Sequence, residues 1–313
     1  MKKILAVLLM LFIVAGCSGS GNKYNVGVIQ LVQHNALDSA TQGFVDCLKD
    51  EFGDDINIDV QVASGDSAVC STMATNFVAE GVDLIMANAT PALQATSHAT
   101  DSIPVLGTSV TEYGVALDID DFNGTVGNNV SGTSDLAPLD EQAQMIIDLV
   151  PNAKTIGLLY CSSEANSLYQ VKKVQEYLEA KGLTVKSYSF SDSNDVASVA
   201  TSACLEVDAL YIPTDNTCAS NGEVIKTAAS DNNVPIIAGE KDCCKAVGGI
   251  ATLSIDYYEL GKTTGQMAIK ILKGEAKVEE MPIEYYGNPV KMIDKAQADK
   301  FNIVAPDGYE LMD

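Results

Sequence analysis

A chain of 313 residues, 47% hydrophobic and 19% charged, can build two ordinary domains with real cores and is too balanced for a disordered protein. Its 42 acidic residues against 19 basic ones give a formal charge of -23, which argues against nucleic acid or an anionic membrane surface as partner.

Lys2 and Lys3 precede an apolar run at residues 4–14, which reads as a secretory signal because spanning a bilayer takes about 20 apolar residues. Val14-Ala15-Gly16-Cys17 resembles a bacterial lipoprotein processing site, so residues 1–17 are expected to be a signal peptide ending at a lipidated Cys17. Residues 18–23 then form a flexible tether. This implies an extracytoplasmic protein held to the cell membrane by its lipid.

From residue 24 onward, short apolar runs alternate with amphipathic segments. The pattern predicts strands at 24–32, 56–62, 84–87 and 104–106, with helices at 36–51, 67–80 and 91–99. A second series comes next, with strands at 155–160, 184–189, 209–212 and 235–238 and helices at 167–181, 196–204 and 220–232. Such alternation indicates α/β architecture: two similar doubly wound parallel-sheet lobes joined by crossing hinge strands. Residues 124–138, rich in Gly, Asn, Ser and Thr, suit one crossing, and residues 251–255 a second, before a long helix at 257–273. Strands at 283–286 and 291–293 would close the second sheet. The expected lobes are 24–133 with 254–280, and 134–253 with 281–313.

Seven cysteines besides Cys17 show neither zinc-ligand nor C-x-x-C spacing, and an odd number cannot pair completely. Cys47 with Cys70, or Cys204 with Cys218, are conceivable bridges; buried thiols are the alternative.

In open parallel sheets the ligand lies beyond the carboxyl ends of the strands. The segments there are polar in both series. The candidates are Gln33 and His34; Asn88, Ala89 and Thr90; Thr108, Ser109 and Val110; Ser163, Glu164, Asn166 and Ser167; Asp215, Asn216 and Thr217; Gly239 and Glu240; and Asp256 with Tyr257 at the late helix. Any one of them is equally an ordinary helix cap, but recurrence at about six turns points to a small polar guest. Asp215, and behind it Glu240, suit an ammonium group. Backbone N–H groups near Ala89-Thr90 and Ser109-Val110 suit a carboxylate.

Several segments carry a resemblance: Gln33-His34-Asn35-Ala36-Leu37-Asp38 with Gly43-Phe44, Asn88-Ala89-Thr90-Pro91-Ala92, Gly107-Thr108-Ser109-Val110-Thr111 and Val130-Ser131-Gly132-Thr133-Ser134-Asp135. Ser163-Glu164-Ala165-Asn166-Ser167, Tyr211-Ile212-Pro213-Thr214-Asp215-Asn216-Thr217 and Ile255-Asp256-Tyr257-Tyr258-Glu259-Leu260-Gly261 with Thr264-Gly265 continue it in order. Together they resemble the ABC-transporter substrate-binding family that includes tryptophan- and tyrosine-type uptake lipoproteins, with a type I periplasmic-binding-protein fold. Asn35 stands where the family usually has proline, Glu112-Tyr113 where it carries Asp-Pro, and Cys243-Cys244 replaces more usual residues. The resemblance implies a lipid-anchored monomer that closes on an aromatic amino acid and delivers it to a membrane permease served by a separate ATPase subunit, without cofactor or metal; for the ring of such a guest Val32, Val110 and Tyr257 are the expected walls. A sensor using the same clamp is the alternative. An exported α/β hydrolase is a weaker one, since Thr108-Ser109-Val110-Thr111 is not a G-x-S-x-G elbow and no phosphate-cradling G-x-x-x-x-G-K-[ST] occurs.

Overall fold

The computed structural model describes residues 23–312. The expected signal peptide, Cys17 and the tether up to residue 22 lie outside the described residues. The first series runs β1 (Tyr24–Gln30), α1 (Asn35–Phe52), β2 (Ile56–Val62), α2 (Ser67–Glu80), β3 (Leu84–Asn88), α3 (Thr90–Ala99), β4 (Val105–Val110), α4 (Tyr113–Ala116) and β5 (Val130–Ser134). The chain then crosses to α5 (Leu139–Leu149), β6 (Thr155–Cys161), α6 (Ala165–Ala180), β7 (Thr184–Phe190), α7 (Val196–Cys204), β8 (Ala209–Ile212), α8 (Asn216–Ser220), α9 (Gly222–Asn232), β9 (Ile236–Ala238), α10 (Lys241–Ala246) and β10 (Ala251–Ser254). It returns through α11 (Tyr257–Leu272) and β11 (Glu284–Tyr285), and ends with β12 (Val290–Ile293), α12 (Lys295–Lys300) and β13 (Glu310–Leu311).

The first sheet has the order β2-β1-β3-β4-β5-β11 and is parallel throughout. The second has the order β7-β6-β8-β9-β10-β12-β13, with β12 antiparallel to β10 and β13 running parallel to β12, so the last two strands are reversed against the rest. Strand residues alternate between two core layers. In the first lobe Val28, Met86 and Leu106 meet Phe44 and Leu48 of α1 and Met267 of α11, while Ile29, Ile85 and Ala87 meet Phe77 of α2 and Leu93 of α3. Burying one such large side chain contributes about 1.5–3 kcal/mol, which is why the apolar runs settle as central strands.

Helix α11 recrosses to pack along α1. A Cβ on Gly43 would overlap the Tyr258 carbonyl, and one on Gly261 the Ala40 carbonyl, so these two glycines are what lets the helices touch. This contact locks the turn after β1 against the start of α11, and both carry residues of the interlobe gap.

Three expectations need correction. β4 runs on to Val110 and β5 occupies part of the segment expected to cross, because their polar residues satisfy one another inside the sheet: Thr108 Oγ1 lies 3.2 Å from Thr133 Oγ1, which lies 2.8 Å from Thr264 Oγ1, and the Ser131 hydroxyl donates to the Met281 carbonyl at 3.0 Å. A Ser/Gly/Thr run thereby behaves as a buried strand. Glu284–Tyr285 pairs with β5 in the first sheet, not the second, so the last crossing falls at residues 286–289. A two-residue strand has no periodicity from which its sheet could be read. Finally, α4, α5, α8, α10 and α12 have no counterpart in the sequence pattern; α5 is masked there because its entry at Pro138 falls in a segment with the composition of a linker. The seven cysteines among the described residues are free thiols, six of them buried and Cys47 half-buried.

Candidate functional site

Both sheets aim their strand ends at one gap. From the first lobe come His34, Ala36 and Leu37 after β1, Ser109 and Thr111 at the end of β4, Asp135 after β5, and Tyr257 opening α11. Opposite stand Asn166 on α6, Thr214, Asp215, Asn216 and Ala219 after β8, and Glu240 after β9.

The gap is nearly shut, with only about 10 Å³ wide enough for a water molecule. His34 Nε2 meets Asn216 Oδ1 across it at 3.2 Å. Because the Asn216 side-chain amide donates to Glu164 at 2.7 Å, its oxygen accepts, so His34 donates from Nε2 and its Nδ1 carries a lone pair. Burial holds the imidazole below its ordinary value, which leaves the ring neutral near pH 7.

Four buried side-chain atoms lining this gap have no hydrogen-bond partner: His34 Nδ1, Ser109 Oγ, Asp135 Oδ1 and Asn166 Oδ1. A buried polar atom left unpaired costs about 1–3 kcal/mol. Four stand in one place, drawn from both lobes, and a polar molecule in the gap would satisfy them. Ser109 reaches it through backbone geometry. Its φ is +53°, and the β4–β5 register shifts between Gly107 and Val110, a bulge that re-aims the side chain.

The carboxylates divide into open and filled. Asp135 Oδ2 accepts the Tyr257 hydroxyl at 2.9 Å while Oδ1 stays free, and burial pushes its pKa up. Asp215 is filled: it accepts the Cys161 N–H, the Ser167 hydroxyl and the Cys218 N–H, each at 2.7 Å, and so caps α8. Burial, with Glu164 beside it, pushes Asp215 up to about 7. Glu164 in turn accepts from Asn166 and from the backbone and side chains of Asn216 and Thr217. Glu240 caps α10 through the N–H groups of Asp242 and Cys243, and burial raises it to about 8.

Seven of the residues expected from sequence thus line the gap: His34, Ser109, Asn166, Asp215, Asn216, Glu240 and Tyr257. Five stand behind it. Glu164, Thr217 and Ser167 hold the β8 turn, Gly239 accepts from Gln142 at 3.0 Å, and Asn88 donates to the Leu37 carbonyl at 2.8 Å. Ala89, Thr90, Thr108 and Val110 are buried within the first lobe without lining the gap, and the Ala89 N–H is already taken by the Thr108 carbonyl. Gln33, Ser163 and Asp256 are exposed; Ser163 donates to the Ser191 carbonyl, and Asp256 caps α11. Of the expected ring walls only Tyr257 lines the gap. Val110 and Val32 belong to the first-lobe core, and Ala36, Leu37 and Ala219 take their place. Thr111 and Thr214 belong to two of the polar strand-end segments and line the gap as well, whereas Asp135 lines it without having been expected from sequence. For Asp135 a signal exists: it is the first charged residue after Val130–Ser134, and reading that run as a strand would place it at a strand end.

A roomier groove of about 520 Å³ runs beside the crossings, walled by Tyr169, Tyr177 and Tyr286, but it holds none of the unpaired atoms. Among the described residues no group of three or more His, Cys, Asp or Glu side chains is arranged to hold a metal ion, and no helix is long and apolar enough to cross a membrane.

A model of the ABC transporter substrate binding protein family matches residues 25–309. The chain belongs to that family. Its members bind small molecules for transport outside the cytoplasm and are not enzymes. The chain is 37% identical over 270 residues to a tyrosine-binding protein of Clostridioides difficile (strain R20291), an overlap of 84% of this chain and 76% of that one. Among solved structures it is similar to an ABC domain from Streptococcus pneumoniae in complex with L-Trp, at 36% identity and a TM-score of 0.86 over 92% of this chain and 97% of that one. It is also similar to the ligand-free, open form of a substrate-binding protein with adhesive properties from Clostridium difficile, at 35% identity but a TM-score of only 0.68 over 93% of this chain and 100% of that one. Identity is nearly equal in the two comparisons, yet the chain superposes better on the L-Trp complex than on the ligand-free, open form. This chain stands in the closed arrangement, as the His34–Asn216 bridge also indicates.

Proposed function

We propose that this substrate-binding protein captures an aromatic L-amino acid by closing its lobes over it. The observation that carries the reading is the set of unpaired polar atoms contributed by both lobes to one gap. A guest shifts a hinge equilibrium only by binding the closed form better than the open one, and contacts from both sides supply that difference. The guest's ammonium sits on Asp135 Oδ1 and Asn166 Oδ1, and its carboxylate faces the Ser109 hydroxyl. The ring lies against Ala36, Leu37 and Tyr257. This moves the ammonium from Asp215, whose oxygens are already filled. The tyrosine-binding relative and the L-Trp-bound neighbour support an aromatic side chain. Because the gap is so narrow, the lobes part to admit the ring and re-close around it.

In this reading residues 1–17 are the signal peptide, Cys17 carries the lipid and residues 18–23 form the tether. The monomer hands its guest to a membrane permease whose ATPase is another subunit, and the lobes divide near residues 134, 254 and 287. Isothermal titration calorimetry with L-tyrosine, L-tryptophan and L-phenylalanine tests the central claim. Saturable binding of at least one, weakened by Asp135→Asn, is expected; silence from all three refutes it.

A further inference from the structure

The gap carries charge of only one sign. Asp135, Asp215 and Glu240 line it, and no lysine does. The chain contains no arginine at all, its 19 basic residues being lysines throughout. His34 is neutral, since burial lowers its pKa and its Nε2 proton is committed to Asn216.

The unpaired atoms are equally one-sided. Asp135 Oδ1, Asn166 Oδ1 and His34 Nδ1 are acceptors, and only the Ser109 hydroxyl can donate. Asn166 cannot reverse its amide to offer a donor, because its nitrogen is held by the Thr214 carbonyl at 2.9 Å and by Glu164 at 3.2 Å. Asp135 and Asn166 are each 5% exposed, so neither finds its missing partner in bulk water. Three acceptors therefore wait for N–H donors, and an ammonium brings three. A carboxylate brings only acceptors. In this gap it meets no cation; Ser109, Thr111 and Thr214 bring hydroxyls, but the wall also carries Asp135, Asp215 and Glu240, whose ionised forms repel it in a low-dielectric setting.

We propose that recognition here is anchored on a primary ammonium and does not require a carboxylate, so that aromatic primary amines, the decarboxylated counterparts of aromatic amino acids, form a second class of ligand. The inference rests on the reading of an aromatic guest in this gap and adds which end of that guest is read. The amine keeps the ring contacts and the ammonium contacts. It loses the carboxylate's hydroxyl contacts, that to Ser109 among them, and it brings net positive charge to a wall lined by acids.

The test is calorimetric titration of the folded protein near neutral pH with three probes sharing one ring: L-tyrosine, tyramine, and 3-(4-hydroxyphenyl)propionate, which keeps the carboxylate and lacks the amine. The series is repeated with L-tryptophan, tryptamine and indole-3-propionate. The proposal expects each amine to bind within about thirtyfold of its amino acid and each deaminated acid to fall beyond that range. Asp135→Asn should weaken amine and amino acid by a similar factor, since both use the same oxygen, and a thermal melt of the variant confirms that it is folded. Amines weaker than that limit beside tightly bound amino acids overturn the inference and leave the aromatic amino-acid reading standing. Acids that bind as well as the amines overturn it too. Failure of amino acids and amines alike removes both readings.

Discussion

The two lobes thread their sheets in the same order, yet they bring different chemistry to the gap. The first leaves three polar atoms open, His34 Nδ1, Ser109 Oγ and Asp135 Oδ1; the second leaves one, Asn166 Oδ1, and fills its carboxylates from within. The difference lies in the segment after each strand. Asp215 and Glu240 stand directly before α8 and α10, whose first N–H groups claim their oxygens. Asp135 comes after β5 with no helix until Leu139, so no helix N-terminus claims its carboxylate; the Tyr257 and Thr111 hydroxyls and its own N–H stand beside it, and Oδ1 is left without a partner of good geometry. In this molecule an acid at the end of a parallel strand is thus a cap when a helix starts at once and keeps an oxygen open when it does not.

The most damaging change to this contrast should be Asp135→Asn, which keeps the shape and removes the charge. Losing a buried charged partner costs about 3 kcal/mol, roughly a hundredfold in the dissociation constant. Calorimetry should show it with an unaltered melting temperature. Asp215→Ala should show the reverse balance. Three donors lose their acceptor, so stability falls by about 2 kcal/mol and the melt moves down by several degrees. A smaller loss of affinity comes from disturbance of the α8 turn. If Asp215→Ala hurt binding more than Asp135→Asn at equal stability, the open-versus-filled distinction between the lobes would be wrong.

Much of this is legible in the residues. The central strands are apolar runs such as Leu84–Asn88, buried along their whole length, and α1 shows its face at Ala40, Phe44 and Leu48; local pattern suffices for both. The site is legible as a set of turns, because parallel sheets place function at strand ends whatever the side chains are. What local pattern does not contain is partnership. Whether Asp215 faces a guest or the Cys161 N–H depends on a contact 54 residues away. β5 is illegible for the same reason, since Ser131 and Thr133 look like a linker until Met281 and Thr264 supply their partners. The helix-packing glycines Gly43 and Gly261 can be seen, but their purpose needs both helices at once.

Ser109→Ala probes the weaker side of the first lobe's grip. It removes one neutral hydrogen bond to the carboxylate, about 1 kcal/mol or roughly fivefold for an amino acid. An amine, which has no carboxylate, should be indifferent to it. An equal loss for both would mean that the hydroxyl contacts the ammonium instead.

The smallest effect concerns the empty clamp and comes from the filled and open acids together. In the closed form burial lifts Asp215 to about 7 and Glu240 to about 8, and lifts Asp135 as well. Parting the lobes lets water reach them and returns them toward the ordinary carboxylate range near 4. The closed form therefore holds protons more tightly than the open one. Its advantage is present at low pH and is lost as pH rises through about 7–8. His34 runs the other way. Its pKa is lowered on closure, so charging it below about 6.5 favours opening. The neighbouring acids add to the upward shifts, Glu164 at Asp215 and Asp242 at Glu240. Small-angle scattering of the ligand-free protein should consequently give a smaller radius of gyration at about pH 6.5 than at about pH 8. Saturating amino acid should abolish that difference, because the guest's contacts to both lobes hold them closed at either pH. A radius that stays constant without guest, or shrinks as pH rises, would mean that the second lobe's filled acids remain solvated when the lobes meet, and that only Asp135 senses closure.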